Sequence, residues 1–264
     1  MTLPAAELVL GSLSGSLVGF TLGLIGGGGS VLAVPLMVYL VGVANPHVAI
    51  GTSAVAVAVN AAANLANHAR AGHVKWPCAL AFAATGVIGA FAGSTLGKMV
   101  DGQKLLLLFA LVMIAIGFLM LRKRGSDSLS DVELSRDNLL PLLAFGFGTG
   151  ALSGFFGIGG GFLIVPALMF ATGMPILYAI GSSLVSVTAF GLTTAANYAL
   201  SGLVDWVLAA IFLVAGIAGG LAGAKLAARL SGTRGTLNKM FATMVFVVAV
   251  YMIYRSSIAI GSVS

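Results

Sequence analysis

Ten apolar stretches separated by short polar breaks run along almost the whole chain. Most approach or reach the roughly 20 residues that a helix needs to cross a bilayer, but 29–43 and 161–172 fall short. In order, the stretches cover 7–25, 29–43, 47–69, 77–97, 104–121, 139–156, 161–172, 177–200, 206–228 and 237–254. Charged residues make up 8% of the chain, against about a quarter in a typical soluble domain. We therefore predict an all-α, polytopic membrane helix bundle whose outer surface faces lipid.

The stretches form two copies of one pattern. Five glycines and a proline recur at an offset of 131: Gly19, Gly23, Gly26, Gly28, Gly29 and Pro35 match Gly150, Gly154, Gly157, Gly159, Gly160 and Pro166. Residues 50–53 (IGTS) recur as 180–183 (IGSS) at an offset of 130, and Phe109 recurs as Phe241 at an offset of 132. Three nearly equal offsets indicate two related halves with about five hydrophobic segments each.

The basic residues predict how the halves lie in the membrane. The repeats cover 1–121 and 139–264, and the polar residues 122–138 form a linker between them. An odd number of segments makes the second half enter from the opposite side. With a cytoplasmic linker, 10 of the 13 Lys and Arg residues fall inside, whereas an even number of crossings would divide them 7 to 6. Because cytoplasmic loops carry an excess of Lys and Arg, we predict inverted-topology repeats in the cell inner membrane.

Several classes of protein are disfavoured by composition and by missing motifs. The net charge is +6, but the basic residues sit in short loops and form no stripe for a phosphate backbone, so no nucleic-acid partner is expected. The single cysteine, Cys78, excludes an intrachain disulfide framework and a cysteine-based metal cluster. The chain has no GxxxxGK[ST] or HExxH motif and no nucleophile triad. We expect no enzyme activity, no cofactor and no metal.

A glycine cluster precedes each of the two short segments. The clusters consist of Gly26, Gly27, Gly28 and Gly29, and of Gly157, Gly159, Gly160 and Gly161. Each glycine weakens a helix by about 1 kcal/mol relative to alanine, so we predict a helix break at each cluster. Free N–H groups and the positive end of a helix dipole at such a break favour an anion. Two breaks at equivalent places predict a substrate-binding site, and close packing or plain turns are the alternative.

Other glycines recur every four residues. They are Gly15, Gly19 and Gly23, then Gly89, Gly93 and Gly97, and then Gly146, Gly150 and Gly154. Small residues at this spacing let two membrane helices approach closely. For these nine glycines the spacing favours helix packing over a binding role.

Hydroxyl side chains begin a long apolar helix in each half. Thr52 and Ser53 match Ser182 and Ser183. Hydroxyls and exposed N–H groups at this place are able to coordinate an oxyanion without contributing a net charge. Ordinary helix capping by Ser and Thr is an equally good reading of the pattern.

A polar stripe lies on the third segment. Asn60, Asn64 and His68 are spaced by four residues and therefore share one helix face, which should avoid lipid. Asn197 in the second half repeats Asn67 in the first. We predict that Asn60, Asn64 and Asn197 contact substrate, with hydrogen bonding between helices as the alternative. His68 is a candidate for proton coupling because imidazole titrates near neutrality, although a structural role is the commoner one.

The paired motifs resemble the sulfite exporter TauE/SafE family of membrane permeases. The resemblance rests on GLIGGGGSVLAVPLM at 23–37 and GFFGIGGGFLIVPALM at 154–169. It is strengthened by AIGTSAVAV at 49–57, AIGSSLVSV at 179–187 and GLVDW at 202–206. The family implies a permease for small sulfur-containing anions, with the glycine clusters and the hydroxyl pairs framing the pathway.

From these observations we expect a secondary transporter that exports sulfite, an organosulfonate or a related small anion by alternating access. A passive anion channel is one alternative, and a membrane scaffold or partner subunit without transport activity is another. The partners expected are the anion and membrane lipid. The sequence makes no prediction of oligomeric state.

Overall fold

Helices account for all the regular structure in the part of the chain that the computed structural model describes. That part comprises residues 5–122, 136–157, 161–230, 243 and 246–255. The α-helices are α1 (Ala5–Ile25), α2 (Ala33–Leu36), α3 (Pro46–Arg70), α4 (Trp76–Gly97), α5 (Gly102–Arg122), α6 (Arg136–Phe156), α7 (Gly161–Thr172), α8 (Ile176–Ala199), α9 (Trp206–Leu230) and α10 (Phe246–Arg255). Six helical segments in this part are long and apolar enough to cross a membrane. The predicted all-α, polytopic membrane bundle is confirmed.

Both predicted helix breaks are present, but the two halves differ. After α1 the chain forms a 3₁₀ helix over Gly26–Leu32, continues into α2 and ends in a π turn over Met37–Val41. A 3₁₀ run of seven residues is long for this geometry, which rarely exceeds three or four. In the second half Gly157 ends the first helix with φ of 68°, and α7 is a regular helix of 12 residues.

Glycines hold α1 against α9. A Cβ atom on Gly15 or Gly19 would collide with the backbone of Phe212 or Gly216. Lipid tails provide no hydrophobic drive between helices, so this close approach supplies van der Waals contact instead. The packing role predicted from the spacing of Gly15, Gly19 and Gly23 is confirmed.

The same packing recurs between α6 and α4. Cβ atoms on Gly146, Gly150 and Gly154 would collide with the backbone of α4. In the opposite direction, Gly89, Gly93 and Gly97 lie against the backbone of α6. Because α1 corresponds to α6 and α4 to α9 in the repeat, each helix pair is the counterpart of the other.

Helices α3 and α8 lie at the centre of the bundle. They pack on each other, and α3 also contacts α9 as α8 contacts α4. Exposed apolar side chains cover the outer helices, among them Ile88 at 65% and Val214 at 70%, as expected of a surface that faces lipid. Trp76 and Trp206 are exposed at the first residues of α4 and α9, which suits anchors at the membrane interface. The opposite orientation of the two halves in the membrane stays a prediction.

The helix ends differ slightly from those expected. Helix α6 begins at Arg136, so 136–138 belong to a helix rather than to the predicted linker 122–138. Arg122 ends α5, and residues 123–135 lie outside the described part. Of the tenth stretch, the structure describes residue 243 and 246–254 within α10.

Candidate functional site

The two glycine breaks contact each other inside the bundle. The backbone of Gly27 lies directly against that of Gly161, and a Cβ on either residue would collide with the other. Gly26, Gly28 and Gly29 are also buried. Gly159 and Gly160 lie outside the described residues. The structure thus brings together the two segments that the sequence singled out, in a closely packed arrangement.

Ser183 bonds to the first break. Its Oγ accepts the backbone N–H of Gly27 at 3.1 Å and donates to the carbonyl of Ile180 at 2.7 Å. Gly26 has φ of 65° and packs against Ile180 and Ser183, where only a glycine fits. One of the free amide donors expected at the break is therefore held by a serine hydroxyl of the other half.

Part of this arrangement recurs at the second break. Ser53 donates to the carbonyl of Ile50 at 3.0 Å, as Ser183 does to Ile180. Gly157 packs against the side chain of Ile50. Ser53 and Ser183 are both fully buried. Contact with the glycine break of the opposite half is thus made by Ser183 in one case and by Ile50, one turn before Ser53, in the other.

Thr52 and Ser182 are also buried, and each holds a loop of the opposite half. Thr52 Oγ1 accepts the N–H of Asp205 at 2.9 Å, and Ser182 Oγ accepts the N–H of Lys75 at 2.9 Å. Helices α3 and α8 begin nearly two turns earlier, at Pro46 and Ile176, so these hydroxyls do not cap their own helices. The capping reading is therefore wrong for Thr52 and Ser182.

The polar stripe of α3 faces α1 and α9. Asn60 packs against Gly216, and Asn64 packs against Gly23 and Gly220. Asn64 Nδ2 donates to the carbonyl of Asn60 at 2.9 Å. Neither side-chain polar atom of Asn60, nor Oδ1 of Asn64, has a partner in the described structure. The stripe avoids the lipid face, as predicted, and includes buried polar atoms that form no hydrogen bond within the described structure.

His68 continues this stripe towards the end of α3. Its Nε2 lies 3.2 Å from the carbonyl oxygen of Gly23, while Nδ1 is buried without a partner in the described structure. The ring of His68 stands 5.8 Å from that of His73, which in turn lies 6.3 Å from the ring of Tyr178. Burial lowers the pKa of His73, which lies in the loop between α3 and α4, because desolvation penalises the imidazolium.

A cavity of about 220 Å³ opens beside His68. It lies between the end of α3, the following loop and α9. The residues that line it are Asn67, His68, Ala71, His73, Leu221, Ala224 and Lys225. Sequence reasoning missed His73 and Lys225, because nothing in their local pattern indicates that α9 packs beside α3.

Asn197 lies in a different environment. Lys98 Nζ donates to Asn197 Oδ1 at 2.8 Å and to Ser201 Oγ at 2.9 Å. Asn197 Nδ2 donates to Ser94 Oγ at 2.6 Å and to Thr95 Oγ1 at 3.0 Å. Asn197 therefore ties α8 to α4 by hydrogen bonds, and Lys98 is a participant that the sequence did not indicate.

Residues 12–252 match the family described as Sulfite exporter TauE/SafE. The chain belongs to this family. As a member of the TauE/SafE family, it is a multi-pass membrane permease. No solved structure matches the chain.

Relatives of the chain carry consistent names. It is 54% identical over 257 residues to a probable membrane transporter protein of Xylella fastidiosa (strain Temecula1), covering 97% of this chain and 98% of that one. A probable membrane transporter protein of Haemophilus influenzae is 29% identical over 269 residues, covering 94% of this chain and 98% of its own length. One from Methanocaldococcus jannaschii is 31% identical over 164 residues, with 59% and 60% covered.

Proposed function

We propose that this permease is a secondary transporter that exports a small sulfur-containing anion, such as sulfite or an organosulfonate, across the inner membrane by alternating access. The family description supports a sulfur oxyanion as the substrate. The observation that carries the proposal is the contact between Gly27 and Gly161, where both helix breaks meet inside the bundle. The side chain that bonds to the first break, Ser183, is neutral, as is its counterpart Ser53.

Neutral donors suit an anion that must be released as well as bound. Amide N–H groups and hydroxyls replace part of the water shell of an oxyanion, and glycine lets the anion approach the backbone closely. A buried arginine or lysine at the same place would bind the anion more strongly and slow its release. We propose that Gly26 to Gly29 with Thr52 and Ser53, and Gly157 to Gly161 with Ser182 and Ser183, frame the pathway.

The close contact of the two breaks favours alternating access over a permanently open channel. Gly27 and Gly161 leave no room for an anion between them, so substrate must separate the two segments to pass. The N–H of Gly27 then exchanges the hydroxyl oxygen of Ser183 for an oxygen of the anion as its acceptor. Because a buried N–H needs a partner, the state without substrate closes again when the anion leaves.

The test is transport by the purified protein in proteoliposomes. Flux of labelled sulfite, an organosulfonate and thiosulfate is measured with and without a pH gradient. We expect saturable flux of at least one of these anions, and in Ser183→Ala a fall of about tenfold from loss of a hydroxyl that bonds the break. Ser12→Ala is the matched control, because the Ser12 hydroxyl bonds its own helix at an exposed position.

Two results would contradict the proposal. If none of the three anions shows saturable flux, the remaining alternative is that the protein is a scaffold or partner subunit without transport activity. Flux that rises linearly with anion concentration and does not change when a pH gradient is applied would indicate a passive channel instead. A pH gradient that changes the rate would support proton coupling, for which His68 is the candidate.

A further inference from the structure

The cavity beside His68 is positively charged. None of its seven lining residues is acidic, whereas Lys225 contributes an ammonium group and His68 and His73 contribute two imidazoles. Asn67 adds an amide. A surface of this composition attracts anions and repels cations.

The cavity has the size of a small hydrated anion. Its volume is about 220 Å³, and liquid water occupies about 30 Å³ per molecule, so an oxyanion fits together with several waters. Its wall includes Leu221, Ala224 and Ala71, which present no donor that would compete with the charged groups.

Unpaired polar atoms lead from the cavity into the bundle. His68 is 3% exposed and its Nδ1 has no partner in the described structure. One and two helical turns before His68 in α3, Asn64 Oδ1 and both side-chain polar atoms of Asn60 also lack partners in the described structure. Buried polar atoms are nearly always hydrogen-bonded, so these positions call for water or a solute. They extend the polar surface inwards along α3.

At the counterpart of the cavity in the second half, Asn197 is hydrogen-bonded to its neighbours. At the repeat offset of 130, Asn197 corresponds to Asn67 and Thr95 to Lys225. There Asn197 bonds Ser94 and Thr95, and Lys98 bonds Asn197 and Ser201. Asn197 is therefore bonded within the protein, whereas Asn67 lines open space. The hydroxyls of Thr194 and Tyr198, at the positions of Asn64 and His68, are buried without a partner in the described structure, so the contrast between the halves concerns Asn67 and Asn197.

We propose that the cavity formed by Asn67, His68, His73 and Lys225 is a binding site for a small oxyanion, where the transported anion is loaded before it reaches the glycine breaks. The proposal rests on the proposed transport function. The predicted topology puts this end of α3 on the cytoplasmic side, which is the loading side for an exporter. The phosphate of an anionic lipid headgroup has the same chemistry, so the experiment must separate a free anion from a lipid.

The experiment compares Lys225→Gln with Arg229→Gln. Arg229 lies one turn further along α9, is exposed and does not line the cavity, so both variants lose one positive charge from the same helix. Binding of sulfite to the purified protein is measured by calorimetry in neutral detergent at constant ionic strength. We expect Lys225→Gln to weaken binding by about tenfold, because charge-assisted hydrogen bonds are the stronger class, and Arg229→Gln to bind like the wild type.

The lipid source is tested in nanodiscs with and without phosphatidylglycerol. Sulfite binding that is equal in both supports a site for a free anion. If phosphatidylglycerol abolishes sulfite binding at Lys225, the cavity is a lipid site and the proposal is wrong. It is equally wrong if the wild type binds no sulfite, or if Lys225→Gln and Arg229→Gln bind alike.

Flux distinguishes failure of this site from failure of the transport function. Inside-out proteoliposomes expose the predicted cytoplasmic side, where Lys225→Gln should raise KM for sulfite about tenfold and change the maximal rate much less. If Lys225→Gln transports sulfite like the wild type, the proposed binding site is wrong and the proposed transport function is unaffected. If sulfite binding depends on Lys225 but the wild type shows no flux, the proposed transport function is wrong and the binding site is retained.

Discussion

Thr52 accepts the backbone N–H of Asp205 at 2.9 Å, across 153 residues of sequence. Asp205 in turn caps α9, because its Oδ1 accepts the N–H groups of Val207 and Leu208. The start of α9 is therefore attached to α3 of the other half. Ser182 holds Lys75 in the same way at the start of α4. These two bonds form matching links between the halves of the permease.

Loss of the Thr52 hydroxyl should destabilise the folded protein. Thr52→Val keeps the shape of the side chain but leaves the N–H of Asp205 without its partner, at a cost of about 1–3 kcal/mol. We expect a lower midpoint of thermal unfolding in detergent. Thr188→Val is the control, because Thr188 bonds only the carbonyl of Leu184 in its own helix. Equal midpoints for the two variants would contradict a linking role for Thr52.

A methyl group on Gly19 should disturb the packing of α1 on α9. The added Cβ would collide with the backbone of Gly216, and overpacking costs about 1–3 kcal/mol or more. Gly148→Ala in α6 is the matched control, since no atom lies within 4 Å of the Cβ position there. Thermal unfolding should show Gly19→Ala below the wild type and Gly148→Ala equal or above, because alanine favours a helix. A tolerated Gly19→Ala would mean that the two helices separate at little cost.

Local sequence patterns predicted the helices, the breaks and the packing glycines. Apolar length and four-residue spacing are properties of single helices, so Gly15, Gly19 and Gly23 could be assigned before their partner helix was known. The repeat offset likewise placed Ser53 and Ser183 in equivalent positions. These features depend on residues near one another in the sequence.

Partners from the other half could not be predicted. Thr52 and Ser182 suited helix capping and oxyanion binding equally well, because nothing nearby indicates that loops near 205 and 75 fold back onto them. Lys98 and Lys225 looked like topology signals, whereas the structure places one against Asn197 and the other at a cavity. Both outcomes depend on α4 packing against α8 and α9 against α3.

The bonds of Lys98 should stabilise the end of α8. Lys98→Met removes the donor to Asn197 and Ser201. We expect faster hydrogen–deuterium exchange of backbone amides in 198–205, because the hydrogen bonds that hold this end to α4 are lost. Lys104→Met removes a charge from an exposed position on α5 and serves as the control. Unchanged exchange in Lys98→Met would show that the remaining bonds of Asn197 suffice.

Acid should destabilise the loop that carries His73. Burial holds the pKa of His73 below its ordinary value of about 6.5, so the unfolded chain takes up the proton more readily than the folded one. The stability that follows from a neutral His73 is therefore complete above about pH 6.5 and is lost as the pH falls through the lower folded value.

The test is the midpoint of thermal unfolding between about pH 7.5 and pH 5, around the ordinary histidine pKa. The ring of His68 and the cations Lys75 and Lys225 lie on this side of the bundle, and positive neighbours act in the same direction as burial. We expect the midpoint of the wild type to fall more steeply with acid than that of His73→Gln. Parallel curves for the two proteins would show that a proton on His73 costs the folded state nothing, and that the cavity accepts a positive charge in addition to that of Lys225.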